Sequence, residues 1–141
     1  MNSFNDSLRR MSPPGRLVGE IMAAVDDVGP EAYSNAMAFQ HAVQRSLEHR
    51  GFSVVLEHPV TMKDGRRGYI DIIARSLDGD LVVIELDTAS PRKKSVEKLK
   101  LVDATRVVVL RRFNGRARAW SRIHAARREV DAVIIPQRPG L

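Results

Sequence analysis

Carboxylates embedded in two short aliphatic runs constrain this chain more than any other feature. GYIDIIAR (68–75) carries Asp71, and DLVVIELD (80–87) closes on Glu85, Leu86 and Asp87. Runs of this length, rich in Ile and Val, read as strands inside a sheet. Side chains alternate along a strand, so Tyr69, Asp71 and Ile73 are expected on one side of the first and Val83, Glu85 and Asp87 on one side of the second. The intervening SLDGD contains Asp78-Gly79, a tight-turn signal that makes the pair an antiparallel hairpin. Three carboxylates are then expected to converge at one end of it. A bare ionised group buried among aliphatic side chains costs on the order of several kcal/mol. Asp71, Glu85 and Asp87 must therefore be paired, protonated or bound to a cation, and a set of oxygen donors suits a hard divalent ion, Mg²⁺ or Mn²⁺. A single strand carboxylate is more often an edge position or a salt bridge; it is the pairing across adjacent strands that points to a site.

The rest of the chain supplies elements around that hairpin. Residues 1–16 are polar and contain prolines, and read as a mobile N-terminal arm. LVGEIMAAVDDVG reads as a short helix ended by Gly29, and residues 31–50 as a second, with Ala36, Phe39, Val43 and Leu47 on one stripe and Gly51 as the stop. FSVVLEHPV is a strand that KDGRRG links to the hairpin. Then SVEKLKLV follows Pro91 as a helix, TRVVVLRR is a fourth strand, RARAWSRIHAARREV a long helix, and DAVIIP a fifth strand. The order is α, β-β-β, α-β, α-β, in one domain spanning 17–141.

With 141 residues the chain suits a single compact core, and without cysteine it has neither disulfides nor thiolate metal sites. It has no apolar run long enough for a membrane span and no apolar stretch of the signal-peptide kind, so a soluble, cytoplasmic protein with no membrane partner is expected. The net charge of +6 is unevenly spread: residues 1–90 hold 9 basic and 13 acidic side chains, residues 91–141 hold 14 and 4. An acidic centre beside a basic surface is the pattern expected for metal-dependent chemistry on nucleic acid, although charge runs are commonly just solvated helix faces.

Element order and carboxylates together resemble the PD-(D/E)XK nuclease superfamily. Its core is αβββαβ, with a metal-binding Asp on the second strand and Glu-x-Lys on the third. The resemblance covers about residues 32–112, with 113–136 as an extension, and implies an α/β, restriction-endonuclease-like fold: a mixed central sheet flanked by helices. Asp71 matches the first acidic position and Glu85 the second, 14 residues on. The helix QHAVQRSLEHRGF is similar to that of archaeal Holliday-junction resolvases, where a Glu assists at the metal; Gln40 stands in its place here. By this resemblance the protein is a Mg²⁺- or Mn²⁺-dependent deoxyribonuclease in which Asp71 and Glu85 hold the ion, with Asp87 and the Leu86 carbonyl as supplementary ligands or water orienters. Its partner is DNA, and cutting both strands asks for a homodimer.

One position departs from the superfamily: Asp87 occupies the place of the lysine. Either the lysine has migrated into PRKKSVEKLK, where Lys94 and Lys98 lie four residues apart on one helical face, or catalysis is lost and the chain is a DNA-binding or assembly subunit. Arg92, Lys93, Arg111, Arg112, Arg116, Arg118 and Arg122 are the expected phosphate contacts. Trp120 shares a helical spacing with Ile123 and is expected in the core, and at 5% aromatic residues the composition offers little for a single-strand stacking surface. His41, His49, His58 and His124 show no zinc-ligand spacing, no phosphate-binding loop of the ATPase type is present, and Ser90 and Ser95 read as loop and helix-cap residues.

Overall fold

The computed structural model describes residues 3–137, with side chains from Gly15 onward. Five strands line up in chain order: β1 (Ser53–Thr61), β2 (Arg67–Arg75), β3 (Leu81–Asp87), β4 (Thr105–Leu110) and β5 (Ala132–Ile134). β1 and β3 each pair antiparallel with β2, whereas β3, β4 and β5 run parallel. The mixed α/β sheet with flanking helices and the αβββαβ order expected from the sequence are both found. Parallel strands need crossovers, and α3 (Lys93–Leu99) and α4 (Ala117–Ala126) supply them.

Alternation along the central strands builds two cores. Val82 and Ile84 of β3 and Val107 and Val109 of β4 face α1 (Ser3–Asp26) and α2 (Ala36–His49), where Leu17, Ile21, Phe39, Val43 and Leu47 meet them. Val83, Val108 and Leu110 point the other way, onto Val96 and Leu99 of α3 and Ile123 of α4. Sheets covered on both faces need near-continuous apolar strands, which is why LVVIELD and TRVVVL show no polar alternation.

Two boundaries differ from the sequence reading. The segment 1–16 read as an arm is helical from Ser3 onward, continuous with α1; residues 1–2 lie outside the described residues. The helix expected over 31–50 is divided into a 3₁₀ turn, Pro30–Ser34, and α2, because Asn35 adopts an extended conformation and its Oδ1 accepts from the Ala38 N–H at 2.8 Å, starting the helix afresh.

The alternation of β2 slips at Asp71. Ile72 and Ala74 pack in the α1/α2 core, but Ile70, which shares their parity, packs in the α3/α4 core. Pairing between β1 and β2 is regular from Ser53↔Arg75 to Leu56↔Ile72 and again from His58↔Ile70, omitting Glu57 and Asp71. Glu57 has φ of 53°, a left-handed conformation that a residue with a Cβ adopts only at a cost of about 1–2 kcal/mol. Beyond Ile72↔Ile84 the β2–β3 ladder ends, so the distal half of the β1–β2 hairpin stands clear of β3. The sequence expectation that Tyr69, Asp71 and Ile73 share one plain sheet face is thus corrected by a local twist, and the twist sits at the candidate site.

Candidate active site

Where the β2–β3 ladder stops, side chains continue it. The Asp71 N–H donates to Glu85 Oε2 at 2.8 Å, and the Leu86 N–H donates to Asp71 Oδ2 at 2.8 Å. Each carboxylate thereby satisfies a main-chain donor that the diverging strands leave unpaired. Gln40 of α2 completes the frame: its Nε2 donates to the Asp71 carbonyl at 2.9 Å and lies 3.5 Å from Glu57 Oε1. Gln40 and Leu86 are therefore both brought to Asp71, Gln40 through its amide and Leu86 through its N–H.

The cation comes from α3. Lys98 is 7% exposed, its Nζ donates to the Tyr69 carbonyl at 2.8 Å and stands 2.5 Å from Glu85 Oε1. Gly68 makes this approach possible, since a Cβ there would lie 3.3 Å from Lys98 Cδ and 3.0 Å from Met62 Sδ. Lys94, four residues earlier, is exposed and forms no ion pair among the described residues. Of the two lysines, Lys98 lies beside the carboxylates and Lys94 does not.

Asp87 differs from its expected place in the cluster. Its Oδ2 accepts from the Arg92 N–H at 2.8 Å, and its Oδ1 accepts from Ser95 Oγ at 2.8 Å and from Arg92 Nε at 3.0 Å. Both oxygens are spent on the start of α3, so this carboxylate anchors a helix and does not join Asp71 and Glu85. Ser95, expected as a cap, is instead the buried partner of that anchor within α3. Among the described residues no three His, Asp or Glu side chains gather closely enough to hold a metal, and the expected convergence of three carboxylates is reduced to two.

Electrostatics follow from the burial. Glu85 is fully buried, and desolvation, reinforced by the neighbouring Asp71 carboxylate, outweighs the Lys98 ammonium and pushes its pKa from 4.5 up to about 7. Burial likewise raises Asp71, against the opposing Leu86 N–H and Lys98, with Glu57 and Asp87 adding to the rise. Glu57 is the residue that sequence reasoning missed. Nothing in FSVVLEHPV marks it, because its placement depends on a backbone conformation that the strand pattern does not encode.

The donor set can be tested against a hard cation. Glu85 Oε1 is buried with the Lys98 ammonium as its one partner among the described residues, leaving its second lone pair open, and Asp71 Oδ1 accepts no hydrogen bond among the described residues. Two carboxylate oxygens on neighbouring strands thus keep acceptor capacity, and Mg²⁺ is commonly held by one or two carboxylates with water filling the remaining positions. The residues fit such an ion with Asp71 and Glu85 as its ligands.

The basic residues fall into three groups. Arg92 is spent on Asp87, with its side chain 62% exposed. Arg111 departs from the expected phosphate contacts: its Nη1 donates to the Tyr33 carbonyl at 2.8 Å, tying β4 to the layer of α1 and α2, and desolvation together with Arg112 lowers its pKa. Lys93, Arg112, Arg116, Arg118 and Arg122 are exposed, and the last reaches Ser90 Oγ at 3.4 Å. Trp120 is a further correction. It is 41% exposed, because the inward stripe of α4 is Ala119, Ile123 and Ala126, and position 120 falls beside that stripe and not on it.

No family model and no curated protein matches the sequence. Among solved structures the chain is similar to EndoMS in its complex with double-stranded DNA, at 17% identity and a TM-score of 0.40, covering 64% of this chain and 38% of that one. It is also similar to a repair endonuclease from Pyrococcus abyssi, at 15% identity and a TM-score of 0.45, covering 76% of this chain and 49% of that one. The chain thus spans less than half the length of either. No helix among the described residues is long and apolar enough to cross a membrane.

Two outcomes follow from this geometry. Asp87→Ala removes three bonds to a buried carboxylate and leaves Ser95 without its partner, and should lower stability by about 3 kcal/mol in urea unfolding, with Asp87→Asn costing less. In metal-free buffer, Glu85 held protonated in the fold up to about pH 7 but ionised above 4.5 when unfolded means that stability falls as pH rises through that window and levels off beyond it. Whatever its offset, Glu85→Gln should lose much of that slope, so its melting temperature should gain on the parent between about pH 5 and pH 8. A constant difference across the range would contradict the raised pKa.

Proposed function

We propose that this protein is a metal-dependent deoxyribonuclease, an endonuclease of the PD-(D/E)XK kind in which the lysine is delivered by α3. The observation that carries the reading is the buried Lys98 ammonium on Glu85, beside Asp71: the carboxylates and the cation meet in space although the linear motif reads Glu-x-Asp. Asp71 and Glu85 would hold Mg²⁺ or Mn²⁺, with the Leu86 carbonyl beside them. When bound, such an ion supplies Lewis acidity, making water nucleophilic near neutral pH and offsetting charge on a phosphodiester.

The chain's own groups have separate tasks. The Leu86 N–H and the Gln40 amide fix the Asp71 side chain and carbonyl, so the ligand is oriented before any ion arrives. Lys98, held by the Tyr69 carbonyl, keeps a cation beside Glu85 from which to orient water and steady negative charge as the phosphate is attacked. Asp87 holds the start of the helix that carries this lysine. The substitution at the motif's last position is then a relocation: the lysine moved to α3, and the vacated position became that helix's anchor.

The exposed arginines would grip phosphates without reading bases. With a single centre per chain, cutting both strands would take two copies. The buried lysine favours this reading over a non-catalytic binding subunit, since burying an ammonium against two desolvated carboxylates is costly for a fold that needs only an outer basic face.

Labelled branched, nicked, single-stranded and duplex DNA incubated with Mn²⁺ tests the assignment. Asp71→Asn should abolish cleavage while leaving binding intact. Lys98→Met should slow the cleavage step by about a hundredfold at saturating DNA with little change in Kd, whereas Lys94→Met should cut like the parent. Equal rates for the parent, Asp71→Asn and Lys98→Met would overturn the nuclease reading.

A further inference from the structure

The outer face of α4 combines features that neither the sheet nor the carboxylate site explains. From Thr105 to Arg128 the chain contains no acidic residue. None of Arg112, Arg116, Arg118, Arg122, Arg127 and Arg128 forms an ion pair among the described residues. In the midst of these cations stands Trp120, the chain's one tryptophan, 41% exposed. Its ring is held by a T-shaped contact with Phe113, centroids 4.9 Å apart and planes at 79°, while His124 lies 6.3 Å away on the next turn. The indole opens on a shallow groove of about 690 Å³ whose floor is the small side chains of Ala117, Ser121 and Ala125, with His124 and the Arg128 guanidinium along its edge.

We propose that Trp120 is a stacking platform for an unpaired nucleobase, and that the DNA bound by this protein carries single-stranded or splayed bases. The inference rests on the nucleic-acid reading above and adds the substrate class to it. An exposed indole on a helix face shared with Arg116, Arg127 and Arg128, none of them in an ion pair among the described residues, calls for an occupant with both a flat apolar face and negative charge. An unpaired nucleotide has both, its phosphate meeting the arginines and its base the ring. Intact duplex presents the phosphates but hides its base faces by stacking, so it leaves Trp120 unused. A purely apolar protein surface would strand the arginines without partners.

Because the chain has one tryptophan, its emission excited at the red edge of the indole band, where the two tyrosines do not absorb, reports this site alone. Asp71→Asn protein in EDTA, which separates binding from cleavage, is titrated with a single-stranded oligonucleotide, a blunt duplex of the same sequence and a duplex with a short gap. Single-stranded and gapped DNA should quench Trp120 emission, and the blunt duplex should not, even where anisotropy of labelled duplex shows binding. By anisotropy, Trp120→Leu should weaken single-strand binding about tenfold or more while leaving duplex affinity unchanged, and Trp120→Phe should retain most of it. Equal quenching by duplex, or equal loss of both ligands in Trp120→Leu, overturns the proposal. So does emission that shifts with protein concentration alone as sedimentation shows a dimer, which would make a second copy of the chain the occupant. Quenching by single strands without cleavage by the parent under any metal would leave this inference standing and overturn only the nuclease reading.

Discussion

The reciprocal exchange between Asp71 and Glu85 is the interaction on which the rest of the site depends. Two strands that diverge would ordinarily leave an N–H on each without a partner, and here each strand's carboxylate takes the other's donor. The arrangement holds the carboxylates side by side in a desolvated place, where neither is comfortable as an anion. That discomfort is the source of the raised pKa values, and it is what a cation relieves. Lys98 provides part of that relief from within the chain, at the price of burying an ammonium.

The same logic explains why Asp87 is turned away. A third anion at the end of β3 would compound the repulsion between the first two, whereas at the start of α3 it meets two N–H donors and a hydroxyl. By fixing that helix it also fixes the direction from which Lys98 enters, four residues beyond Lys94 and one turn deeper toward the sheet. The left-handed Glu57 and the slip in alternation at Asp71 belong to this arrangement too, since a regular β2 would direct Asp71 off the sheet face and not toward the Leu86 N–H. Backbone strain of this kind persists where the surroundings over-determine it, and Gln40 and Glu85 both hold the residue opposite.

Charge is segregated across the molecule as it is along the chain. The carboxylates lie on β2 and β3, while the C-terminal half presents arginines on α4 and keeps several of its basic groups for structure, Arg92 on Asp87 and Lys98 on Glu85 among them. Arg111 ties β4 to the Tyr33 carbonyl, and Arg106 donates to the carbonyls of Leu99 and Val102, closing the end of α3. Formal charge therefore overstates the surface available to an anionic partner, and what remains includes the exposed arginines of α4 and Lys93 and Lys94 of α3.

Strand and helix periodicity alone determined the element order and the hairpin that places Asp71 and Glu85 on adjacent strands, because these are set by neighbours within a few residues and by a turn at Asp78 and Gly79, whereas the direct bonding of the two carboxylates depends on the slip at Asp71. The superfamily resemblance likewise placed Gln40 near the site, where its amide is found. Local pattern was silent, or misleading, wherever a side chain had two allowed directions. Asp87 and Glu85 have the same parity on one strand, yet one reaches a helix and the other a neighbouring strand. Lys94 and Lys98 share a helical face, but only the packing depth of α3 and the missing side chain at Gly68 admit the second. Trp120 and Ala119 are adjacent in sequence, and only the rotation at which α4 docks decided that the alanine goes in and the indole stays out. Periodicity records which face a residue occupies on its own element; where that element docks, and how closely, is set by contacts between segments far apart in the chain, and those were decided by the tertiary structure.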